Sequence, residues 1–216
     1  MQLFSRRADL VTKLVIGVLV VGLGGLIWAF TAWFWQSDWY TRRGMAATQP
    51  VPFSHQHHVG GDGLDCRYCH QLVTESSSAG MPTTETCMTC HWQIWTEAPV
   101  LAPVRASWQT GQRLFWKRNY DLPDYVYFDH SIHIAKGVGC ATCHGRVDQM
   151  PLIQKAATLE MRWCLACHRQ PEKHLRPRSE VFRMDWKPPP DQEEQGRRLV
   201  KEYQVRSLTS CSHCHR

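Results

Sequence analysis

The chain has 216 residues, a length that ordinarily makes one or two domains. Its formal net charge of +6 falls to +4 once the first 35 residues are set aside, and so small an excess does not by itself indicate a nucleic-acid or anionic-membrane surface. The ten cysteines form five pairs of one spacing, which leaves none for a disulfide.

The first predicted element is an apolar run of 22 residues without a charged side chain, at 14–35. As a helix this run would measure about 33 Å, enough to span a bilayer. A secretory signal peptide is the alternative, but its apolar region is typically about 7–15 residues long and ends at a small-residue cleavage site. Trp33, Trp35, Trp39 and Tyr40 suit a membrane interface. We therefore predict an uncleaved transmembrane helix at 14–35, preceded by a cytoplasmic segment at 1–13 and followed by a linker at 36–52.

Five C-x-x-C-H motifs occupy the rest of the chain, and we number them first to fifth in chain order. Their cysteines are Cys66 and Cys69, Cys87 and Cys90, Cys140 and Cys143, Cys164 and Cys167, and Cys211 and Cys214. The histidines that close them are His70, His91, His144, His168 and His215. This spacing is typical of covalent haem c attachment, in which two thiols bond to the macrocycle and the histidine becomes the proximal ligand of the iron.

A structural zinc site or a thioredoxin-like redox pair is the alternative for an isolated C-x-x-C. Neither requires a histidine after the second cysteine. Here a histidine follows all five pairs, although only 12 of the 216 residues are histidine. The sequence therefore predicts five covalently bound haem c groups.

The first four motifs belong to two similar units, Phe53–His91 and Phe128–His168, and the fifth lies alone at 211–215. Each unit begins with Phe-x-His-x-x-His ahead of its two motifs. We expect one histidine of each such pair to serve the nearby haem and the other to reach a neighbouring haem. The predicted distal ligands are His55, His58, His130 and His133.

These four histidines leave one iron without a predicted distal ligand. Met150 and Met161 lie between the third and fourth motifs, and either thioether would raise the reduction potential relative to imidazole. His174 is the alternative. With every sixth position filled, we predict outer-sphere electron transfer and no catalytic residue. The Lys-for-His replacement that pentahaem nitrite reductases carry in one motif is absent from the sequence.

The 181 residues after the predicted helix are too few to enclose five macrocycles and also build a separate apolar core. We therefore predict a multihaem cytochrome c fold, with one N-terminal transmembrane helix and a mainly α-helical and irregular domain at 53–216 wrapped around the haems, with little sheet. Each ferric haem with two ionised propionates adds about one negative charge, which brings this domain near neutrality and argues against nucleic acid as a partner.

The orientation follows from charge and from cofactor attachment. Arg6, Arg7 and Lys13 precede the apolar run, and the positive-inside rule places such residues in the cytoplasm. Two arginines shortly after the run weaken that count. Because haem c attachment is completed after export, we predict a single-pass protein of the inner (cytoplasmic) membrane with residues 36–216 in the periplasm.

The connecting segments are less regular. Residues 92–127 are predicted as an irregular strap with a short hairpin around Gly111, and residues 169–190 as extended surface chain. Asp191 then has the residue type of a helix N-cap, with Glu194 three positions later. We predict that this helix leads to the fifth motif.

Four segments carry a resemblance to a known family. They read FSHQHHVGGDGLDCRYCH, AGMPTTETCMTCH, LPDYVYFDHSIH, and GCATCHGRVDQM through MRWCLACHR. Over residues 50–185 they resemble, in motif order, the membrane-anchored pentahaem cytochrome c component of bacterial alternative complex III.

The resemblance implies a subunit of a multi-subunit quinol oxidoreductase of respiratory or photosynthetic bacteria. It further implies integral membrane partners, an iron–sulfur protein as electron donor, and a monohaem cytochrome c or other periplasmic acceptor. The alternative is a stand-alone, membrane-anchored multihaem quinol dehydrogenase, a family that often has Met two residues after the histidine of its first motif. At that offset this sequence has Leu72, and Gln93, Arg146 and Gln170 follow the next three motifs.

Overall fold

The computed structural model describes residues 5–215, which divide into two compact parts after Arg42. Helices and irregular segments make up both parts, and within 5–215 the only β pairing is in isolated bridges. This confirms the expectation of a helical and irregular chain.

The N-terminal part consists of helix α1 (Arg6–Gln36) and the short helix α2 (Asp38–Thr41). The hydroxyl of Ser5 caps α1 by accepting a hydrogen bond from the amide of Ala8 at 3.2 Å. The apolar window within α1 has a mean hydropathy of 2.4, and none of it is buried inside the chain. Length and composition suffice to cross a membrane, and they fit both a membrane anchor and a signal sequence. The helix begins eight residues before the predicted span at 14–35.

The C-terminal part contains short helices joined by turns. Its α-helices are α3 (Cys66–Cys69), α4 (Thr84–His91), α5 (Ala102–Thr110), α6 (His130–Ala135), α7 (Cys140–His144), α8 (Met161–Arg169), α9 (Gln192–Glu202) and α10 (Cys211–Cys214). A π-helix covers Gln56–Gly61, and 3-10 turns cover Pro99–Leu101, Val147–Gln149, Pro171–Lys173 and Arg178–Glu180.

Some of the buried apolar side chains among the described residues of the C-terminal part form two small clusters. One contains Val51, Leu101 and Val104. The other contains Leu175, Leu199 and Tyr203. Clusters of this size cover little apolar surface for a domain of this length. Their size is consistent with a fold in which bound cofactor forms most of the core.

The predicted hairpin around Gly111 is wrong. Residues 102–110 form α5, and Gly111 ends this helix with a left-handed φ of 69°. Glycine reaches that conformation without the steric penalty of a Cβ, which makes it a common helix terminator. The turn signal in the sequence was therefore a helix C-cap.

The prediction of extended surface chain at 169–190 is also wrong. Leu175 and Val181 are each only 1% exposed, and two 3-10 turns interrupt the segment. Leu175 packs against Leu199 and Tyr203, which belong to α9 and its C-terminal end. Long-range packing of this kind leaves no signal in the local composition.

The helix predicted after Asp191 is confirmed as α9. The Asp191 side chain makes no capping hydrogen bond to the helix. It lies 3.5 Å from Arg198 instead. Glu193 and Glu194 provide the expected negative charge in the first turn.

Candidate haem-binding site

Each of the five motifs begins in or forms a short helix. In one turn of helix, residues three positions apart lie on the same face, so both thiols of a C-x-x-C pair project to one side. The backbone then returns on itself, and the amides of His70 and His215 donate to the carbonyls of Cys66 and Cys211 at 2.9 Å. All ten cysteines are free of disulfides. Two parallel thiols and an adjacent imidazole are the donor set that covalent haem attachment requires.

Three of the motif histidines face a second histidine across a similar gap. The ring centres are 6.2 Å apart for His58 and His91, 6.4 Å for His130 and His144, and 6.2 Å for His133 and His168. With metal–nitrogen bonds of about 2 Å and roughly 1.1 Å from nitrogen to ring centre, two imidazoles on opposite sides of one metal ion have centres about 6.2 Å apart. These pairs fit two-sided ligation of a single iron.

His55 and His70 complete a fourth pair. Burial lowers the pKa of His55 to about 4, and the next largest cause is the charge of His70, which shows that these rings lie close together. The Nδ1 atom of His55 is buried and has no hydrogen-bond partner within the described residues. His55 is therefore a neutral imidazole, the form that binds a metal.

The four pairs follow a simple rule in each unit. The first histidine of Phe-x-His-x-x-His lies with the first motif of the unit, and the second histidine lies with the second motif. One pair of histidines three residues apart thus reaches two different motifs, and its ligation of two haem groups stays a prediction.

Hydrogen bonds orient several of these rings. Nδ1 lies at hydrogen-bond distance from a carbonyl oxygen in His58 (Ser54, 2.8 Å), His70 (Gly80, 2.8 Å), His130 (Ser77, 2.8 Å) and His133 (Asp129, 2.6 Å). Because a carbonyl can only accept, the ring proton must lie on Nδ1. Nε2 then keeps its lone pair for a metal.

The phenylalanine at the start of each unit has a role that sequence reasoning missed. Phe53 stacks on His58 at 4.4 Å, and Phe128 stacks on His133 at 4.5 Å. The same two rings meet His55 and His130 edge-on. The recurrence of phenylalanine two residues before the first histidine was the available signal. Each phenylalanine thus holds both predicted distal ligands of its unit.

Contacts between thiols show which motifs are neighbours. Burial is the largest cause that raises the pKa of the Cys69 thiol. The charges of the Cys66 and Cys90 thiols raise it further, which places the first motif beside the second. The neighbouring Cys140 side chain is the largest cause that lowers the pKa of the Cys66 thiol, which places the first motif beside the third.

The imidazoles of the first and third motifs confirm that second contact. Burial lowers the pKa of His144 to about 4, and His130, His70 and His55 contribute in that order. Gly60, in the π-helix that carries His58, lies so close to the carbonyl of Asp148 that a Cβ atom would overlap it. The units Phe53–His91 and Phe128–His168 are therefore in direct contact.

The remaining motifs continue the series. Burial raises the pKa of the Cys143 thiol to about 12, with smaller electrostatic contributions from Cys167 and Cys164 of the fourth motif. Burial raises the pKa of the Cys164 thiol, and the charge of Cys214 in the fifth motif raises it further. The amide of Tyr127 donates to the carbonyl of Cys214 at 2.9 Å. In space the motifs therefore follow the order second, first, third, fourth, fifth, which we call the motif row.

The ligand opposite His215 stays a prediction. Nδ1 of His215 lies 3.3 Å from the carbonyl of Tyr125. Met150 has its methyl group beside Gly145, next to the third motif, and Met161 is 65% exposed at the start of α8. His174 ends the 3-10 turn that precedes Leu175.

Two histidines that we did not assign as ligands lie beside paired rings: the ring of His57 is 5.3 Å from that of His58, and His213 is close enough to act electrostatically on His168. His57 faces Asp62 at 3.6 Å and the ring of Trp95 at 6.3 Å. Within the described residues no group of three or more Cys, His, Asp or Glu side chains converges on one point, as a structural zinc site would require.

Comparison with known proteins agrees with this chemistry. Residues 126–216, which contain the third, fourth and fifth motifs, match the family model described as cytochrome c7 and related cytochrome c. The chain is also 36% identical over 97 residues to the multihaem cytochrome c subunit of the menaquinone reductase of Nitratidesulfovibrio vulgaris. That match covers 44% of this chain and 45% of the relative, so the chain spans less than half of the relative's length. Residues 126–216 are therefore similar to cytochrome c7 and related cytochromes c, and nearly half of the chain is similar to a multihaem cytochrome c subunit.

Proposed function

We propose that this chain carries five haem c groups and is the electron-transfer subunit of a membrane-bound quinol oxidoreductase. The observation that carries the proposal is the row of five motifs, in which the histidines of the second, third and fourth motifs face a second histidine and His70 of the first motif acts electrostatically on His55. Two histidines of the chain would hold each of these haem groups, and the chemistry that the groups would then supply is outer-sphere electron transfer.

Haem iron, once bound, supplies reversible one-electron exchange between its ferric and ferrous states. The residues of the chain hold the rings for that exchange. Carbonyl groups fix the tautomer and direction of His58 and His133, and the stacked phenylalanines restrict their rotation. The contact between Cys66 and Cys140 brings the two units together at the middle of the row.

The two ends of the motif row are the natural points of exchange with partners. Cys90 in the second motif and Cys211 in the fifth are exposed, whereas the other eight cysteines are partly buried. Electrons that enter at one end and leave at the other would pass all five centres. We therefore assign the donor and the acceptor to opposite ends of the row.

As to the complex, we propose alternative complex III, on the resemblance of residues 50–185 and the quinone-linked relative. Its partners would be an iron–sulfur protein, integral membrane subunits and a monohaem cytochrome c. Helix α1 would anchor the chain in the cytoplasmic membrane with the haem domain in the periplasm. The chain alone would not be an enzyme.

A second candidate follows from the relative, which is described as a menaquinone reductase subunit. In that case electrons would run through the same row toward menaquinone. A stand-alone quinol dehydrogenase is a third possibility. The sequence does not favour it, because Leu72 stands two residues after the histidine of the first motif, where that family often has Met.

Affinity purification from detergent-solubilised membranes tests the proposal. We expect the chain to co-purify with an iron–sulfur protein, integral membrane subunits and a monohaem cytochrome, and a menaquinol analogue to reduce its haems in that complex. The chain stripped of partners should not be reduced at catalytic rates. Rapid reduction of the stripped chain would identify a stand-alone dehydrogenase, and electron flow from the reduced complex to menaquinone without the reverse flow would identify a menaquinone reductase.

A further inference from the structure

A buried positive charge lies against the third motif. Arg176 is only 5% exposed, and its guanidinium packs so closely on Gly139 that a Cβ atom there would overlap it. Gly139 directly precedes Cys140, the first cysteine of the third motif. The same charge acts electrostatically on the Cys140 side chain. Arg176 is thus part of the immediate surroundings of this motif.

The contacts of Arg176 hold the guanidinium without neutralising it. Nη1 donates to the carbonyl of Arg183 at 3.1 Å, and Nη2 lies 3.4 Å from the hydroxyl of Thr142, inside the third motif. The ring of Trp186 covers the group at 4.2 Å. Nε is buried and has no hydrogen-bond partner within the described residues. A cation packed in this way keeps its full charge.

Three other arginines of the domain are either paired with a carboxylate or exposed to solvent. Arg146 is paired with Asp148 at 2.6 Å, and Arg183 with Glu180 at 2.9 Å. Arg178 is exposed to solvent, donates to the carbonyl of Ala135 and lies over the ring of Tyr203. The carboxylate of Glu180 acts on Arg176 from a distance but makes no ion pair with it in the described part of the chain.

We propose that Arg176 raises the reduction potential of the haem attached at the third motif, the middle position of the motif row. Reduction adds one electron to the haem, and a nearby positive charge favours that state. Because the guanidinium is shielded from water, its field is screened far less than that of a surface arginine. This inference rests on the proposed function, and it adds a residue that sets the potential at the centre of the row without touching the iron.

Potentiometric titration of the haem-loaded protein, followed by EPR, tests the inference. The ring planes of His130 and His144 are only 13° apart, whereas the pairs of the second and fourth motifs are at 71° and 78°, so the ferric signal of the third motif should differ from those of the second and fourth. We expect Arg176→Gln to lower the midpoint of that signal. Arg176→Lys should retain most of the parent value, since the charge remains.

Arg178→Gln is the matched control, because it removes the same charge two residues away at an exposed position. It should leave the midpoint where it is. An unchanged midpoint in Arg176→Gln with full haem content would overturn the inference, as would equal shifts in Arg176→Gln and Arg176→Lys, which would point to packing.

If Arg176→Gln does not accumulate, Arg176→Met carries the test, because it removes the charge and keeps an unbranched side chain. The same midpoint should fall, and an unchanged midpoint would refute the inference. Either refutation would leave the haem content and the electron transfer of the complex intact, so the proposed function is judged separately.

Discussion

At the scale of single residues, the second histidine of each Phe-x-His-x-x-His is held from two sides. His58 has its Nδ1 atom 2.8 Å from the carbonyl of Ser54 and its ring stacked on Phe53. His133 has the same arrangement with Asp129 and Phe128. Such support keeps the Nε2 lone pair directed at one point before the metal arrives.

The pairing of His58 with His91 is tested by removing the distal ring. His58→Ala should open the iron at the second motif, so that the reduced protein binds carbon monoxide at one haem. The measurement is a carbon monoxide difference spectrum. His57→Ala is the control, because His57 is the adjacent imidazole and faces Asp62 instead of a motif. Equal spectra for the two variants would contradict the pairing.

The angles between paired rings make a second prediction. The relative orientation of two axial imidazole planes controls the anisotropy of a low-spin ferric haem. The near-parallel pair of His130 and His144 should give a rhombic EPR signal, whereas the near-perpendicular pairs of the second and fourth motifs should give strongly anisotropic signals. A spectrum of the oxidised protein with a single type of low-spin signal would contradict these geometries.

At the scale of elements, local residue spacing predicted the repeated motifs correctly. It did not predict the contacts between segments that are distant in sequence. The two Phe-x-His-x-x-His units could be recognised in the sequence because haem attachment requires cysteines and histidines at short, regular intervals. The helix α9 was readable from its acidic first turn and basic last turn. The burial of Leu175 depends on Leu199 and Tyr203, which lie more than twenty residues away in sequence. Similarly, the spatial order of the motifs depends on the contact between Cys66 and Cys140, which no local pattern shows.

The junction between the two Phe-x-His-x-x-His units gives a prediction about stability. Gly60→Ala would place a methyl group against the carbonyl of Asp148, and such overpacking typically costs about 1–3 kcal/mol. The free energy of unfolding of the haem-loaded protein should fall by that amount in denaturant titration. Gly61→Ala is the control, since a Cβ there would lie 3.8 Å from the nearest backbone oxygen. If both variants unfold alike, the close approach of the units at Gly60 is not as described.

At the scale of the whole molecule, the chain combines one apolar helix with a domain that has few buried apolar side chains of its own. The motif row accounts for the small number of buried apolar side chains, because bound macrocycles would fill the space between the short helices. The row also explains why the exposed cysteines lie at its two ends. The first explanation requires that all five motifs carry haem.

The mass of the intact chain under denaturing conditions tests that claim most directly, because only covalently attached groups survive the measurement. Protein purified from membranes should show the mass of the polypeptide plus five haem groups. Replacing Cys211 and Cys214 by Ala should remove one haem and leave four, since the fifth motif is independent of the two units in sequence. A parent mass with four haems or fewer would contradict the account.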